Sequence, residues 1–109
     1  MQRSFSVKED GFSVRTAQYK DSTLVSICDP DLIGRTVTEG KLKVHISKEF
    51  YCGEIVDRSE ALRLIKTCAI VSLTGTRSVS LAVDNSIGAR EAIRQIEDVP
   101  FLMIYKFRR

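Results

Sequence analysis

Wherever the apolar residues before Asp57 show a period, that period is two; from Asp57 through the next two segments it is three to four, before a last ungapped apolar run at Phe101–Phe107. A period of two places apolar side chains on one face of a strand, and a period near 3.6 places them on one stripe of a helix. A chain that builds strands first and helices afterwards is restricted to an α+β arrangement. The expected architecture is a mixed or antiparallel sheet of about five to six strands with two helices packed on one face.

The strand half opens with Phe5 and Val7, then a turn at Glu9-Asp10-Gly11. Phe12, Val14, Thr16 and Gln18 alternate with Ser13, Arg15, Ala17 and Tyr19, a polar turn follows at Lys20-Asp21-Ser22, and Thr23–Cys28 is rich in strand formers. These segments predict a three-stranded meander. Asp29-Pro30 predicts a short helical turn capped by Asp29, with Leu32 and Ile33 turned inward and Gly34 ending it. The strictest alternation is Lys41–Ile46, which sets Leu42, Val44 and Ile46 on the buried face and Lys41, Lys43 and His45 outside.

Asp57-Arg-Ser-Glu60 has the form of a capping box. Leu62, Ile65, Ala69 and Leu73 follow at helical spacing, so the helix is expected to run from Arg58 to about Thr74 and to end at Gly75. A second helix is expected over Arg77–Asp84. Residues Ala89–Glu97 read equally as helix or strand, Val99-Pro100 as a breaker, and Phe101–Phe107 as a last strand apolar on both faces. With 109 residues, 43% of them hydrophobic, the chain can bury a core of its own. It is expected to be one domain over residues 1–109, frayed at residues 1–4 and at Arg108-Arg109.

The order and spacing of several short segments resemble the small archaeal family catalogued as domain of unknown function 424. These are Ile27-Cys-Asp-Pro-Asp-Leu-Ile-Gly-Arg-Thr36, Glu39-Gly40 before a strand, and Glu49-Phe-Tyr-Cys-Gly-Glu54, with the two-helix segment and Val99-Pro100. The resemblance spans roughly residues 13–107. Two positions depart from the family pattern: Cys52-Gly53 replaces a Gly-Gly, and Phe101-Leu102-Met103 replaces a polar triplet. The family has no established activity. It implies an archaeal cytosolic protein with a tie to RNA or translation.

Little in the chain favours catalysis. There is no GxSxG, no HExxH and no phosphate-binding glycine loop. The carboxylates best placed for acid-base work are Asp29, Asp31, Glu54 and Asp57, of which Asp29 and Asp57 have capping roles. Three cysteines at wide spacing with one histidine, His45, predict free thiols, no metal and no cofactor. Cys52, in a loop-like setting, is the one cysteine placed to be reactive.

Binding fits better. Lys41, Lys43 and His45 on one strand face, with Arg35 and Lys48 near in sequence, could track a phosphate backbone, and Tyr51 or Phe50 could stack on a base. The competing readings are a solvated strand face guarding an edge, and Phe50 filling the core. A second loop group comprises Asp29, Asp31, Gly34, Cys52, Gly53 and Glu54. The net charge of +3 permits RNA contact without demanding it. The expected partner is RNA or a ribosome-associated protein, with no DNA specificity and no membrane. A protein-protein adaptor or homo-oligomeric assembly protein is the second reading, and an enzyme the third. The oligomer would use the apolar C-terminal strand if that strand were an edge.

Overall fold

The structure is a computed structural model and describes residues 11–106. In chain order the strands are β1 (Phe12–Tyr19), β2 (Ser22–Cys28), β3 (Thr36–Glu39), β4 (Leu42–His45), β5 (Glu54–Val56), β6 (Ile70–Thr74), β7 (Arg94–Ile96) and β8 (Val99–Tyr105). The helices are α1 (Lys48–Tyr51), α2 (Arg58–Thr67) and α3 (Thr76–Val83), with short 3-10 turns at Pro30–Leu32 and Arg90–Ala92.

Six strands form one mixed sheet in the order β5-β1-β2-β6-β8-β7, and β3 and β4 form a separate hairpin. Only β2 and β6 run parallel; every other pair is antiparallel. The fold is α+β, although β6, β7 and β8, three of the six strands of the sheet, follow Asp57.

Alternation along the strands gives the sheet two unlike faces. Phe12, Val14, Val25, Ile27, Val71, Leu73 and Leu102 point to one face, where Ala61 and Ile65 of α2 and Val79, Leu81 and Ala82 of α3 pack against them. Full burial of one such side chain contributes about 1.5–3 kcal/mol. The upper part of the other face is covered by the hairpin: Val37 and Ile46 join Cys28, Leu32, Ile96 and Val99 in a smaller core, with Val44, Tyr51 and Phe101 at its margin. Below that the face is open. Its rows read Arg15–Ser26–Ser72–Met103 and Ala17–Leu24–Ile70–Tyr105 across four strands.

Several expectations need correction. The long helix stops at Thr67, and Ile70–Thr74 is a strand, β6. Ala69 precedes this strand and Leu73 lies within it, facing the helices; their helical spacing is coincidental, and the partly exposed Ser72 beside Leu73 marks the alternation. Gly75 therefore does not end α2; it precedes α3, at φ +109. Leu42 is 38% exposed, because β4 begins at the hairpin turn beyond the reach of the core. Pro100 does not break the last strand but lies within it, opposite Gln95 of the short edge strand β7. Only one face of β8 is fully covered, since Met103 and Tyr105 are exposed on the other. It is nevertheless an interior strand, as its ungapped apolar run suggests, since β8 lies between β6 and β7. Residues 89–97 are neither one helix nor one strand but a 3-10 turn leading into β7. Of the expected meander the hairpin β1–β2 is present, and the strand expected at Phe5–Val7 lies outside the described residues.

Candidate nucleic-acid interface

Two clefts hold some of the predicted site residues, and the predicted loop group is split, with Asp29 and Asp31 lining one cleft and Cys52, Gly53 and Glu54 lying apart from it against β1. His45 and Tyr51 line an open groove of about 370 Å³, together with Leu24, Ser26, Phe50, Ser72 and Met103. Its floor is the uncovered sheet face, and its wall is β4 and α1. His45 ends β4 opposite Thr36, whose Oγ1 lies 2.8 Å from the imidazole Nδ1. Lys43 precedes it on the same strand face, opposite Thr38, and is exposed. Lys41 lies in the hairpin turn beside Gly40 (φ +61), farther from the groove along the strand.

Ser47 caps α1 by accepting the Phe50 amide at 3.3 Å, and Lys48 is exposed on its first turn. This short helix ends with Phe50 74% exposed, so the expectation that Phe50 fills the core is wrong. Tyr51, the next residue, turns inward and packs on the smaller core instead. Burial raises the Tyr51 phenol above its ordinary pKa, with the nearby Cys28 adding to the effect.

The chain after α1 is stapled to β1. Ser13 Oγ donates to the Tyr51 carbonyl at 3.1 Å and accepts from the Gly53 amide at 2.9 Å. Arg15 reaches the Cys52 carbonyl at 3.4 Å. Gly53 presses so close to β1 that a Cβ there would lie 2.0 Å from the Val14 carbonyl oxygen. Glu54, opposite Val14, is exposed. The Cys52-Gly53-Glu54 segment is thus a positioning device for α1. Cys52 is half-buried, and all three cysteines are free thiols.

The second place is a cleft of about 280 Å³ at the carboxyl ends of the parallel strands β2 and β6, lined by Asp29, Asp31, Arg35, Arg77 and Asp98 among others. Asp29 does not cap its own turn. Its buried carboxylate accepts from the Arg77 amide (3.0 Å), the Ser78 amide (2.8 Å) and Ser78 Oγ (2.7 Å), so it caps α3 across 49 residues of sequence. Arg35 is ion-paired to Asp98 at 2.9 Å, which holds the Asp98 carboxyl below its ordinary pKa. Asp31 is exposed at the rim. Gly34, at φ +100, donates to the Ile46 carbonyl at 2.7 Å and so ties the turn to the end of the hairpin. Arg35 therefore stands apart from the groove that holds His45 and Tyr51.

Sequence reasoning missed the floor of the groove. Met103, Ser72, Ser26 and Leu24 come from three strands distant in sequence, and no local pattern marks them. Among the described residues no group of three or more His, Cys, Asp or Glu side chains is placed to hold a metal ion. Nor, among the described residues, is any helix long and apolar enough to cross a membrane.

Residues 17–107 match the family described as Protein of unknown function (DUF424). The fold is similar to the crystal structure of an uncharacterized conserved protein from Methanopyrus kandleri. The TM-score is 0.74 and the identity 21%, covering 91% of this chain and 94% of that one. Among curated proteins none matches the chain.

Proposed function

The chain belongs to the family of proteins of unknown function DUF424, and we propose that this member is a non-enzymatic module that binds single-stranded RNA in the groove between β4, α1 and the open sheet face. The observation that carries the reading is Phe50. An aromatic ring 74% exposed at the rim of an open groove is an apolar surface held ready for a planar partner. His45 and Tyr51 offer further ring surface, and the partly exposed Ser72 offers a hydroxyl that can bond a base edge from the floor. Lys43, Lys48 and Arg15 stand on the flanking elements, where a phosphate backbone would run. No carboxylate lines the groove to pair with His45, which favours binding over acid-base chemistry. The apolar share of the same face, Leu24 and Met103, is what a protein partner would use instead, so the test must separate the two.

That test is fluorescence anisotropy of a labelled single-stranded RNA over a range of salt. Three or four phosphate contacts give a slope of log K against log salt of about −2 to −3, at about −0.7 for each contact. Lys43→Gln with Lys48→Gln flattens the slope. Phe50→Ala leaves the slope unchanged and weakens binding by about 1–3 kcal/mol. Absence of binding at low salt overturns the reading. Capture of a ribonuclease-resistant protein through the same Phe50 surface transfers it to an adaptor.

A further inference from the structure

The first half of β1 has a neighbour on each side; the second half does not. β5 pairs only with Phe12, Ser13 and Val14, so among the described residues no strand lies beside Arg15–Tyr19 on that edge. All five residues are exposed. Among the described residues no strand covers this edge, and the segment itself holds no proline and no glycine, its single charge being Arg15 at one end. Exposed edges of this kind pair with other strands unless they are guarded.

The direction of the free backbone groups follows from the structure. The Val14 carbonyl faces Gly53 on the β5 side. Backbone groups alternate along a strand, so the N–H and C=O of Thr16 and Gln18 face the same open side, whereas Ala17 bonds inward to β2. The turn at Lys20-Asp21 agrees, since Tyr19 pairs inward with Ser22 across a two-residue loop.

We propose that two copies of the chain join edge to edge through Arg15–Tyr19, antiparallel about a twofold axis at Ala17, to give one sheet continuous across both. In this register Thr16 and Gln18 exchange backbone hydrogen bonds with Gln18 and Thr16 of the second copy. Ala17 meets its own counterpart, small enough for the close approach of a non-hydrogen-bonded pair. Arg15 falls opposite Tyr19 of the second copy on the open sheet face, where guanidinium and ring attract. Tyr19 is already in cation contact with Lys20, whose Nζ lies 5.8 Å from the ring centre. The segment is therefore complementary to itself in the one register its backbone allows with Ala17 at the centre. A twofold perpendicular to the sheet sets both grooves on the same side. The inference stands on the edge alone and does not depend on what the groove binds.

Five residues a side make a small interface, so association is a concentration-dependent equilibrium in the micromolar to millimolar range. Sedimentation velocity over that range is expected to show monomer and dimer, and Thr16→Pro to leave monomer alone. Proline is tolerated on an edge strand whose N–H faces solvent, and circular dichroism checks that the fold survives. An independent measurement is cross-linking in a Cys52→Ser background with oxidised glutathione. Ala17→Cys is expected to form a disulfide dimer readily, because paired Cα atoms about 4.5 Å apart lie within disulfide range. Thr16→Cys, whose counterpart across the axis is Gln18, is not. A monomer at every concentration, a dimer that persists in a folded Thr16→Pro variant, or equal cross-linking of the two cysteine variants overturns the proposal.

Discussion

Asp29 is the side chain on which most of the long-range order at the top of the sheet depends. It is 5% exposed, and its two oxygens satisfy three donors at the start of α3: the Arg77 amide, the Ser78 amide and Ser78 Oγ. Asp29→Ala strands all three. Loss of a helix cap alone costs about 1–2 kcal/mol. Ser78 is fully buried, so its two donors cannot turn to water, and stranding them adds about 1–3 kcal/mol. The expected loss is about 2–5 kcal/mol, centred on about 3.5, out of the roughly 5–15 kcal/mol that holds a domain together. Asp29→Asn keeps Oδ1 for both Ser78 donors and loses only the acceptor for the Arg77 amide, so its expected loss is about 1–2 kcal/mol. Urea unfolding separates the two: with a slope of about 1.5 kcal/mol/M, the midpoint falls by ~2 M for alanine and ~1 M for asparagine. Hydrogen exchange should show the Arg77 and Ser78 amides losing protection in Asp29→Ala while β1 and β2 keep theirs in native buffer. An alanine variant within about 0.5 kcal/mol of the parent would refute the cap, since that is the scale of an ordinary surface change. An asparagine variant as damaged as alanine would refute the assignment of Oδ1 to Ser78.

Gly53→Ala should cost about 3 kcal/mol by urea unfolding, because its Cβ would meet the Val14 carbonyl. Gly34→Ala, with nothing within 4 Å, should lose only the ~1–2 kcal/mol of an unfavourable φ; the reverse order would show that α1 is not stapled through Gly53. Burial, reinforced by Asp29 and Asp31, pushes the Cys28 thiol up from 9.0 to about 12. The folded state thus holds this proton more tightly than the unfolded one, and its stabilising effect, full below pH 9, is lost as pH rises toward 12; Cys28→Ala should remove part of the alkaline fall in the urea midpoint. The Asp98 carboxyl is held below its ordinary pKa by Arg35, so the contribution of that pair is present above the unfolded value of 3.8 and lost as pH falls through the lower folded value. Arg35→Gln should flatten that acid limb slightly, and more at low salt than at high salt because the pair is exposed.

Local signals in the sequence were read correctly where one segment decides its own structure. Asp57 caps α2 by accepting the Glu60 amide at 2.9 Å, as its spacing to Glu60 requires. The alternation at Lys41–Ile46 puts His45 outside and Ile46 inside. The misreading at Ile70–Thr74 has a definite cause. Val71 and Leu73 face the helices, while Ile70 and Thr74 are also buried on the opposite side, so Ser72 is the one position in the strand that is not buried and the period of two rests on it alone. Against that single position stand four apolar residues at helical spacing, Leu62, Ile65, Ala69 and Leu73, and they win unless the β-branched pair Ile70-Val71 is given its weight.

The candidate site was legible only on its local side. His45, Tyr51, Lys43 and Lys48 lie within nine residues of one another, and one strand followed by one helical turn brings them together. The floor is different in kind. Ser26, Ser72 and Met103 form one row because β2, β6 and β8 pair in a register set by the core on the other face. A shift of one residue in any of these strands would turn the row inward and carry core residues out, so the packing that hides Val25, Val71 and Leu102 is what exposes the groove floor. The same separation explains Asp29. Its sequence neighbours offer a helical turn, and Pro30 supplies the start of one, yet the carboxylate turns to a helix 48 residues further on. The parallel pairing of β2 with β6 sets Asp29 beside Gly75 at the ends of the two strands. The donors at the start of α3 are left unpaired by the geometry of any helix, whereas the 3-10 turn after Asp29 is short and has fewer to satisfy. The buried carboxylate therefore goes to the larger unmet demand, which only the assembled sheet brings within reach.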